Sequence, residues 1–305
     1  MQLKEVMRKG MINLKTNNIK EPNLKSRLLM QYILNKPREY ILVHYDQQLT
    51  LRQNVDYLKG INMLIKGIPI QHITHQQEFM KMSFYVDENV LIPRPDTEIL
   101  VEEVISLCKR KNFIKILDLC TGSGAIAVSL AKYLNNVDIT AVDISNKALK
   151  IAKKNARNNN VEEKITFIES DLFSNLSKNK YDLIVSNPPY IKKEDIKKLD
   201  VEVKKEPILA LDGGVDGLDF YRKIILNSYN YLNNKGMLCL EIGFDQKEQV
   251  EKLLEKEGKY INIYCKKDLG NNDRVIVACR VPKGAKGDVP LIPKIRDKGD
   301  RPWDY

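Results

Sequence analysis

The chain has 305 residues, 43% hydrophobic, 30% charged and 7% aromatic, which is the balance of an ordinary globular protein and excludes a disordered or fibrous one. Its formal net charge of +10 suits an anionic partner, but the lysines are scattered, as at Lys153-Lys154 and Lys192-Lys193, so a solvated basic surface is the better explanation. No apolar run approaches the roughly 18 to 20 residues of a membrane span, and no apolar core precedes a small-residue cleavage site, so a cytoplasmic protein without membrane contact is expected. The five cysteines lack a Cys-x-x-Cys pair and there are only three histidines, so neither a disulfide framework nor a metal site is expected.

Residues 1–75 read as a small helical bundle. Pro22 suits a helix start, and Leu24, Leu28, Leu29, Tyr32 and Ile33 share one helical face; Val55, Leu58, Ile61, Leu64 and Ile65 share another. Residues 76–93 are the connector, where the period changes to two from Phe79 onward and Asp87-Glu88-Asn89 supplies turn chemistry for a β-hairpin. A helix then spans about Thr97 to Lys109, with Asp96 or Thr97 as its cap.

Beyond it, strand and helix patterns alternate, which predicts an α/β unit over residues 94–282 with a mainly parallel sheet and helices on both faces. Strands are expected near 114–119, 138–142, 165–168, 183–186, 237–242, 261–265 and 274–279. The link from Lys266 to Asp273 is too short for a helical crossover, so the last strand should be antiparallel. Residues 283–305 are rich in Gly, Pro, Lys and Asp and read as a disordered tail, with an appended extension or a partner-binding peptide as alternatives.

A ligand site is written into 116–125, where a buried strand runs through Asp118, Cys120, Thr121, Gly122, Ser123 and Gly124 into a helix. Glycines there let the backbone approach a ligand closely. Asp143, at the end of the second strand, can accept two ribose hydroxyls. Asp171, after the third, can accept from an adenine amino group, with Leu172 and Phe173 against the ring. Acids at these positions repel nucleotide phosphates but suit S-adenosylmethionine, which carries an amino acid and a sulfonium in their place.

The fourth strand ends in Asn187-Pro188-Pro189-Tyr190. The prolines fix the backbone and remove two donors, so the Pro188 carbonyl and the Asn187 side-chain oxygen can each accept one N–H of a planar nitrogen while Tyr190 stacks on its plane. Asn187 thereby borders both methyl donor and acceptor. This order of strands and acids resembles the class I methyltransferases, which implies a Rossmann-like seven-stranded mixed sheet with an antiparallel last strand. Cys120 departs from that pattern, standing where its first glycine would be.

The tetrapeptide occurs in adenine-amino DNA methyltransferases, in some ribosomal RNA and protein methyltransferases, and in the HemK/PrmC family. Other segments separate them. Residues 90–98, with Arg94-Pro95-Asp96-Thr97-Glu98, closely resemble the HemK/PrmC signature, and Pro69-Ile70-Gln71-His72-Ile73-Thr74, Glu206-Pro207 and 210–217 are similar to further segments of that family. His72 and His75 depart from it and are expected to tune the hinge. The resemblance implies methylation of the side-chain nitrogen of the loop glutamine of class-1 peptide chain release factors, with the helical residues 1–75 gripping that substrate and no requirement for direct nucleic-acid binding. Two alternatives stay open: an adenine-amino (N6) methyltransferase on RNA or DNA, and a cofactor-binding scaffold on the ribosome. Arg94 is expected to contact substrate or to pair with Glu98, and Glu241 to border the crevice without an assigned role.

Overall fold

A computed structural model describes residues 1–282; the expected tail, 283–305, lies outside the described residues. The chain opens with α1 (Leu3–Thr16), α2 (Pro22–Leu34), α3 (Arg38–Val43), α4 (Leu51–Ile65) and α5 (Ile70–Thr74). These bury an apolar cluster of their own around Leu3, Leu14, Leu29, Met30, Tyr57, Ile61 and Leu64. The inward faces differ from those expected from apolar spacing. Tyr32, Val55 and Leu58 are exposed, whereas Ser26, Tyr57 and Gly60 face inward. The buried Ser26 and Tyr57 hydroxyls are 2.7 Å apart, and Gly60 leaves room for Leu29. A polar pair and a glycine thus set the helix rotation, which counting apolar residues does not detect.

The hairpin consists of β1 (Gln77–Phe79) and β2 (Met82–Phe84). Its turn is Met80-Lys81, both left-handed (φ 49° and 56°), and not Asp87-Glu88-Asn89. Such a two-residue turn normally wants Asn or Gly. Here a tertiary contact holds it, because the Met80 N–H donates to the Glu98 carboxylate at 2.6 Å. Asp87 instead closes a local turn by accepting from the Asn89 N–H.

After α6 (Pro95–Lys111) come β3 (Lys115–Leu119), α7 (Ala125–Tyr133), β4 (Asp138–Asp143), α8 (Asn146–Asn158), β5 (Ile165–Glu169), β6 (Tyr181–Ser186), α9 (Asp219–Tyr231), β7 (Leu232–Glu241), α10 (Lys247–Glu257), β8 (Tyr260–Lys267) and β9 (Asp273–Arg280). They form one seven-stranded sheet in the order β5-β4-β3-β6-β7-β9-β8, parallel except for β9, which is antiparallel to both its neighbours. This is the class I methyltransferase arrangement expected from the sequence. Central strands are apolar on both faces, as helix-covered parallel strands must be. Leu183 and Val185 feed one layer and Ile184 the other.

The chain lays down β3, β4 and β5 outward and then returns to place β6 on the other side of β3. That reversal opens a crevice beyond the carboxyl ends of β3 and β6. Pairing of Leu119 with Ser186, and of Ser186 with Leu240, delivers Cys120, Asn187 and Glu241 to the rim of that crevice from three adjacent strands.

The helical cluster touches the segment that follows β6. The Lys25 ammonium, on a residue 6% exposed, forms an ion pair with Glu202, Lys20 pairs with Asp200 at 2.8 Å, and Val201 packs on Gly67. Removing one partner of a buried pair strands the other's charge. Glu202 can turn to solvent but Lys25 cannot, so Glu202→Ala is expected to cost about 2 to 3 kcal/mol and Lys25→Met about 1 or less. Denaturant unfolding of both variants checks this asymmetry.

Candidate functional site

Two turns meet at the crevice. The first leaves β3 at Asp118, whose side chain is fully buried. Its Oδ2 accepts from the Thr121 hydroxyl at 2.6 Å, and its Oδ1 has no hydrogen-bond partner among the described residues. Burial raises the Asp118 pKa to about 7, with the Thr121 hydrogen bond and the Ala127 backbone opposing the rise. Gly122 is left-handed (φ 55°) with open space where a side chain would stand, and its N–H donates to Asp143 Oδ2 at 2.8 Å. The other Asp143 oxygen accepts from the Ser145 N–H at 2.9 Å, so two backbone amides aim this carboxylate. Burial raises its pKa as well.

Cys120 is itself left-handed (φ 61°). A side chain there costs roughly 1 to 2 kcal/mol, which explains why glycine suits this position. Its thiol pKa is pushed far up, first by burial and then by Asp143, so it is no nucleophile. Asp171 is exposed, while Leu172 (φ 50°) and Phe173 are buried and Phe173 stacks on Tyr231 at 4.8 Å. Leu172 and Phe173 thus serve the core under α9, and with Asp171 they line a groove apart from the tetrapeptide.

The second turn, Asn187-Pro188-Pro189-Tyr190, leaves β6. Ser186 donates from its hydroxyl to the Leu119 carbonyl at 2.7 Å and so ties the two turns together. Asn187, Pro188 and Tyr190 line a cavity of about 240 Å³ with Leu91, Arg94 and Glu241 among its other walls. Pro189 contributes backbone shape and no wall. The Asn187 amide nitrogen donates to the Thr97 hydroxyl at 3.1 Å, which leaves the Asn187 oxygen turned away from that contact. The Tyr190 backbone is held closely: its carbonyl accepts from Gln246 Nε2 at 3.0 Å, and a Cβ on Gly213 would stand 2.7 Å from its Cα. The Gly213-Gly214 segment picked out in the sequence therefore supports the tetrapeptide from behind.

Arg94 pairs with Glu206, and not with Glu98, whose carboxylate holds the hairpin turn. The buried Glu206 also accepts from the Ile92 N–H at 2.9 Å, closing the loop after the tetrapeptide onto the segment before α6. Asp96 pairs with Arg274 at 3.2 Å, and the α6 N-cap is Arg94, with Pro95 in the first turn.

Comparison with known proteins agrees with this arrangement. Residues 5–74 match the PrmC N-terminal domain and residues 95–208 the Methyltransferase small domain. The chain is 41% identical over 283 residues to the release factor glutamine methyltransferase of Clostridium acetobutylicum, covering 92% of this chain and 99% of that one. It is 36% identical over 280 residues to the protein of the same name from Moorella thermoacetica, covering 92% and 99%. The chain belongs to the release factor glutamine methyltransferase family. Among solved structures, the catalytic domain of hMettl16 in complex with the MAT2A 3'UTR hairpin 6 superposes with a TM-score of 0.55 over 78% of this chain and 88% of that one. At 17% identity it shows the shared fold alone.

Local sequence patterns assign no site role to Thr97, Arg274 or Gln246. Thr97 lies in the Arg94–Glu98 signature, where a helix cap is a sufficient local role; the signal available is its place, one helical turn from Arg94, opposite a strand-end asparagine.

Two outcomes follow. Cys120→Val, β-branched at a left-handed position, is expected to lower stability by about 2 kcal/mol, whereas Cys120→Gly stays within about 1 kcal/mol because relief of strain offsets the added chain entropy; thermal unfolding checks both. Asp118 holds its proton in the folded chain up to about pH 7 but loses it near 4 when unfolded. The folded state therefore binds more protons between those values, and stability of the ligand-free chain falls as pH rises through this window. Asp118→Asn is expected to flatten that decline in a series of unfolding measurements.

Proposed function

We propose that this enzyme transfers a methyl group from S-adenosylmethionine to the side-chain amide nitrogen of the loop glutamine of class-1 peptide chain release factors. The observation that carries this reading is the fixed direction of Asn187. Its nitrogen is committed to Thr97, so its oxygen is the atom left to receive an N–H in the cavity that it shares with Pro188 and Tyr190.

The residues of the first turn fit the proposed donor. The unpartnered Asp118 Oδ1 is a buried acceptor of the kind that an ammonium group satisfies, Gly122 leaves backbone approach open, and the aimed Asp143 carboxylate has lone pairs left for hydroxyls. S-adenosylmethionine supplies an electrophilic methyl group on sulfur. Asp171, at the exposed end of the same rim, is the candidate for the adenine amino group.

An amide nitrogen is a weak nucleophile because its lone pair is delocalised into the carbonyl. Two acceptors on its two hydrogens orient the group and return electron density to nitrogen, and the Asn187 oxygen and Pro188 carbonyl are suited to that task. Tyr190 covers one face of the amide. The nitrogen loses its proton after it has gained the methyl group, so no strong base is needed beforehand.

The shared tetrapeptide also fits an adenine amino group, but the Clostridium acetobutylicum and Moorella thermoacetica relatives, which match over 92% of this chain, carry the glutamine name. A release factor substrate places the reaction in the cytoplasm. Purified enzyme with labelled cofactor should modify a release factor at its loop glutamine, read by mass spectrometry; labelling of nucleic acid alone would sink the proposal. Asn187→Ala is expected to leave cofactor affinity within about threefold by calorimetry and to lower turnover at least about 100-fold, the scale of losing an oriented transition-state partner. Intact function in cells of a variant that has lost turnover would return the scaffold reading.

A further inference from the structure

Arg94 stands where a cation is disfavoured. It is the N-cap residue of α6, and the dipole at a helix N-terminus favours negative charge. Its backbone is held extended (ψ 144°) ahead of Pro95, and its carbonyl accepts from the Thr97 N–H at 3.1 Å. Its side chain is held by Glu206, whose own side chain is 1% exposed. Glu206 accepts from the Arg94 guanidinium on Oε1 and from the Ile92 N–H on Oε2 at 2.9 Å. A buried carboxylate thus aims a guanidinium that stays 37% exposed.

That side chain lines the cavity with Asn187, Pro188 and Tyr190, and among the described residues that line it Arg94 is the only cation. An arginine has five N–H donors. One is spent on Glu206, and the others have no hydrogen-bond partner among the described residues. Pro188 and Glu241 are buried, so Arg94 lies on the solvent side of the same cavity. The inner wall offers acceptors, in the Asn187 oxygen, the Pro188 carbonyl and the Glu241 carboxylate, whereas the mouth offers a donor.

A glutamine substrate has two kinds of oxygen for that donor. A cation on the side-chain carbonyl would draw the nitrogen lone pair further into the amide, which opposes attack on the methyl group. A main-chain carbonyl carries no such penalty, lies nearer solvent than the reacting nitrogen, and in a loop is not committed to a helix or sheet. We infer that Arg94 is a substrate-binding residue that donates to a main-chain carbonyl of the loop bearing the target glutamine, with Glu206 as the positioning residue that aims it. The inference rests on the proposed reaction at a glutamine amide. It adds the contact that holds the main chain of the loop while Asn187 and Pro188 hold the nitrogen.

A main-chain contact is made equally before and during methyl transfer, so its loss raises KM and spares kcat. The test uses the full chain with a release factor as substrate and saturating cofactor. Arg94→Met removes the donors, and KM for the release factor is expected to rise at least about 30-fold with kcat and S-adenosylhomocysteine affinity each within about threefold. Because that change also strands the buried Glu206, Arg94→Lys is measured beside it. An ammonium keeps the ion pair with Glu206 but lacks the planar fork that serves a second acceptor, so thermal stability should hold while KM rises at least about tenfold. An arginine that only braced the loop would leave KM normal wherever the ion pair survives. KM within about threefold of the unaltered enzyme in Arg94→Lys overturns the contact. A fall in kcat with KM unchanged, in either variant, also overturns it, because the guanidinium would then act on the reacting amide. If the unaltered enzyme leaves the release factor glutamine unmodified, the underlying reading of the reaction has failed; if it modifies that glutamine and KM ignores Arg94, only the contact has.

Discussion

The register between β3 and β6 is the constraint on which the site depends. Leu119 opposite Ser186 means that the two central strands end together, at the one place where chain order reverses across the sheet. Side chains alternate faces along a strand, so a slip of one residue would turn Asp118 and Ser186 to the wrong layers. The apolar demand of two helix-covered faces prevents that slip, because Ile184 and Val185 belong to different cores. The chemistry of the rim is thus positioned by packing that has no chemical role. The Ser186 hydroxyl on the Leu119 carbonyl adds a direct tie at the last residue before the turns diverge.

Burial then does different things to acids of the same rim. Asp118 and Glu241 are both enclosed and both shifted to about 7, yet their surroundings differ. Asp118 has the Thr121 hydroxyl on one oxygen and no hydrogen-bond partner among the described residues on the other. Glu241 sits near Arg274, whose guanidinium is already shared by Asp268 at 3.0 Å and Asp96 at 3.2 Å. Arg274 therefore moderates Glu241 without neutralising it. Asp143, held by two backbone amides, is the most strongly aimed of the three.

What was legible in the sequence followed from local rules. Alternating strands and helices, the short link before β9, the glycine turn and the tetrapeptide all depend on neighbours in the chain, and the observed elements agree within a few residues. What was not legible depended on distant partners. The Met80-Lys81 turn exists because Glu98 accepts its amide, the rotation of α2 and α4 because Ser26 meets Tyr57, and the partner of Arg94 is Glu206 rather than the nearby Glu98. Each is a polar contact spanning elements, and hydrophobic periodicity carries no information about those. Thr97 is the instructive case: a threonine near a helix start has an adequate local explanation as a cap, and only the position of β6 reveals that its hydroxyl faces Asn187.

The segment after the tetrapeptide joins the two halves of the molecule. Its Val203 and Leu211 help wall the cavity beside the tetrapeptide, while Asp200, Val201 and Glu202 of the same segment are held by Lys20, Gly67 and Lys25 of the helical cluster. On the opposite side Glu206 fastens it to Ile92 and Arg94, just ahead of α6 and Thr97. The short 3-10 turns of this loop are hydrogen-bonded mostly between near neighbours, which sets their local shape, and these flanking contacts fix where the loop lies. The wall of the cavity is consequently set from both ends, by the helices on one side and by the segment leading to α6 on the other. Sequence features more than 100 residues apart, at Arg94 and Glu206, act in this way on the same small volume.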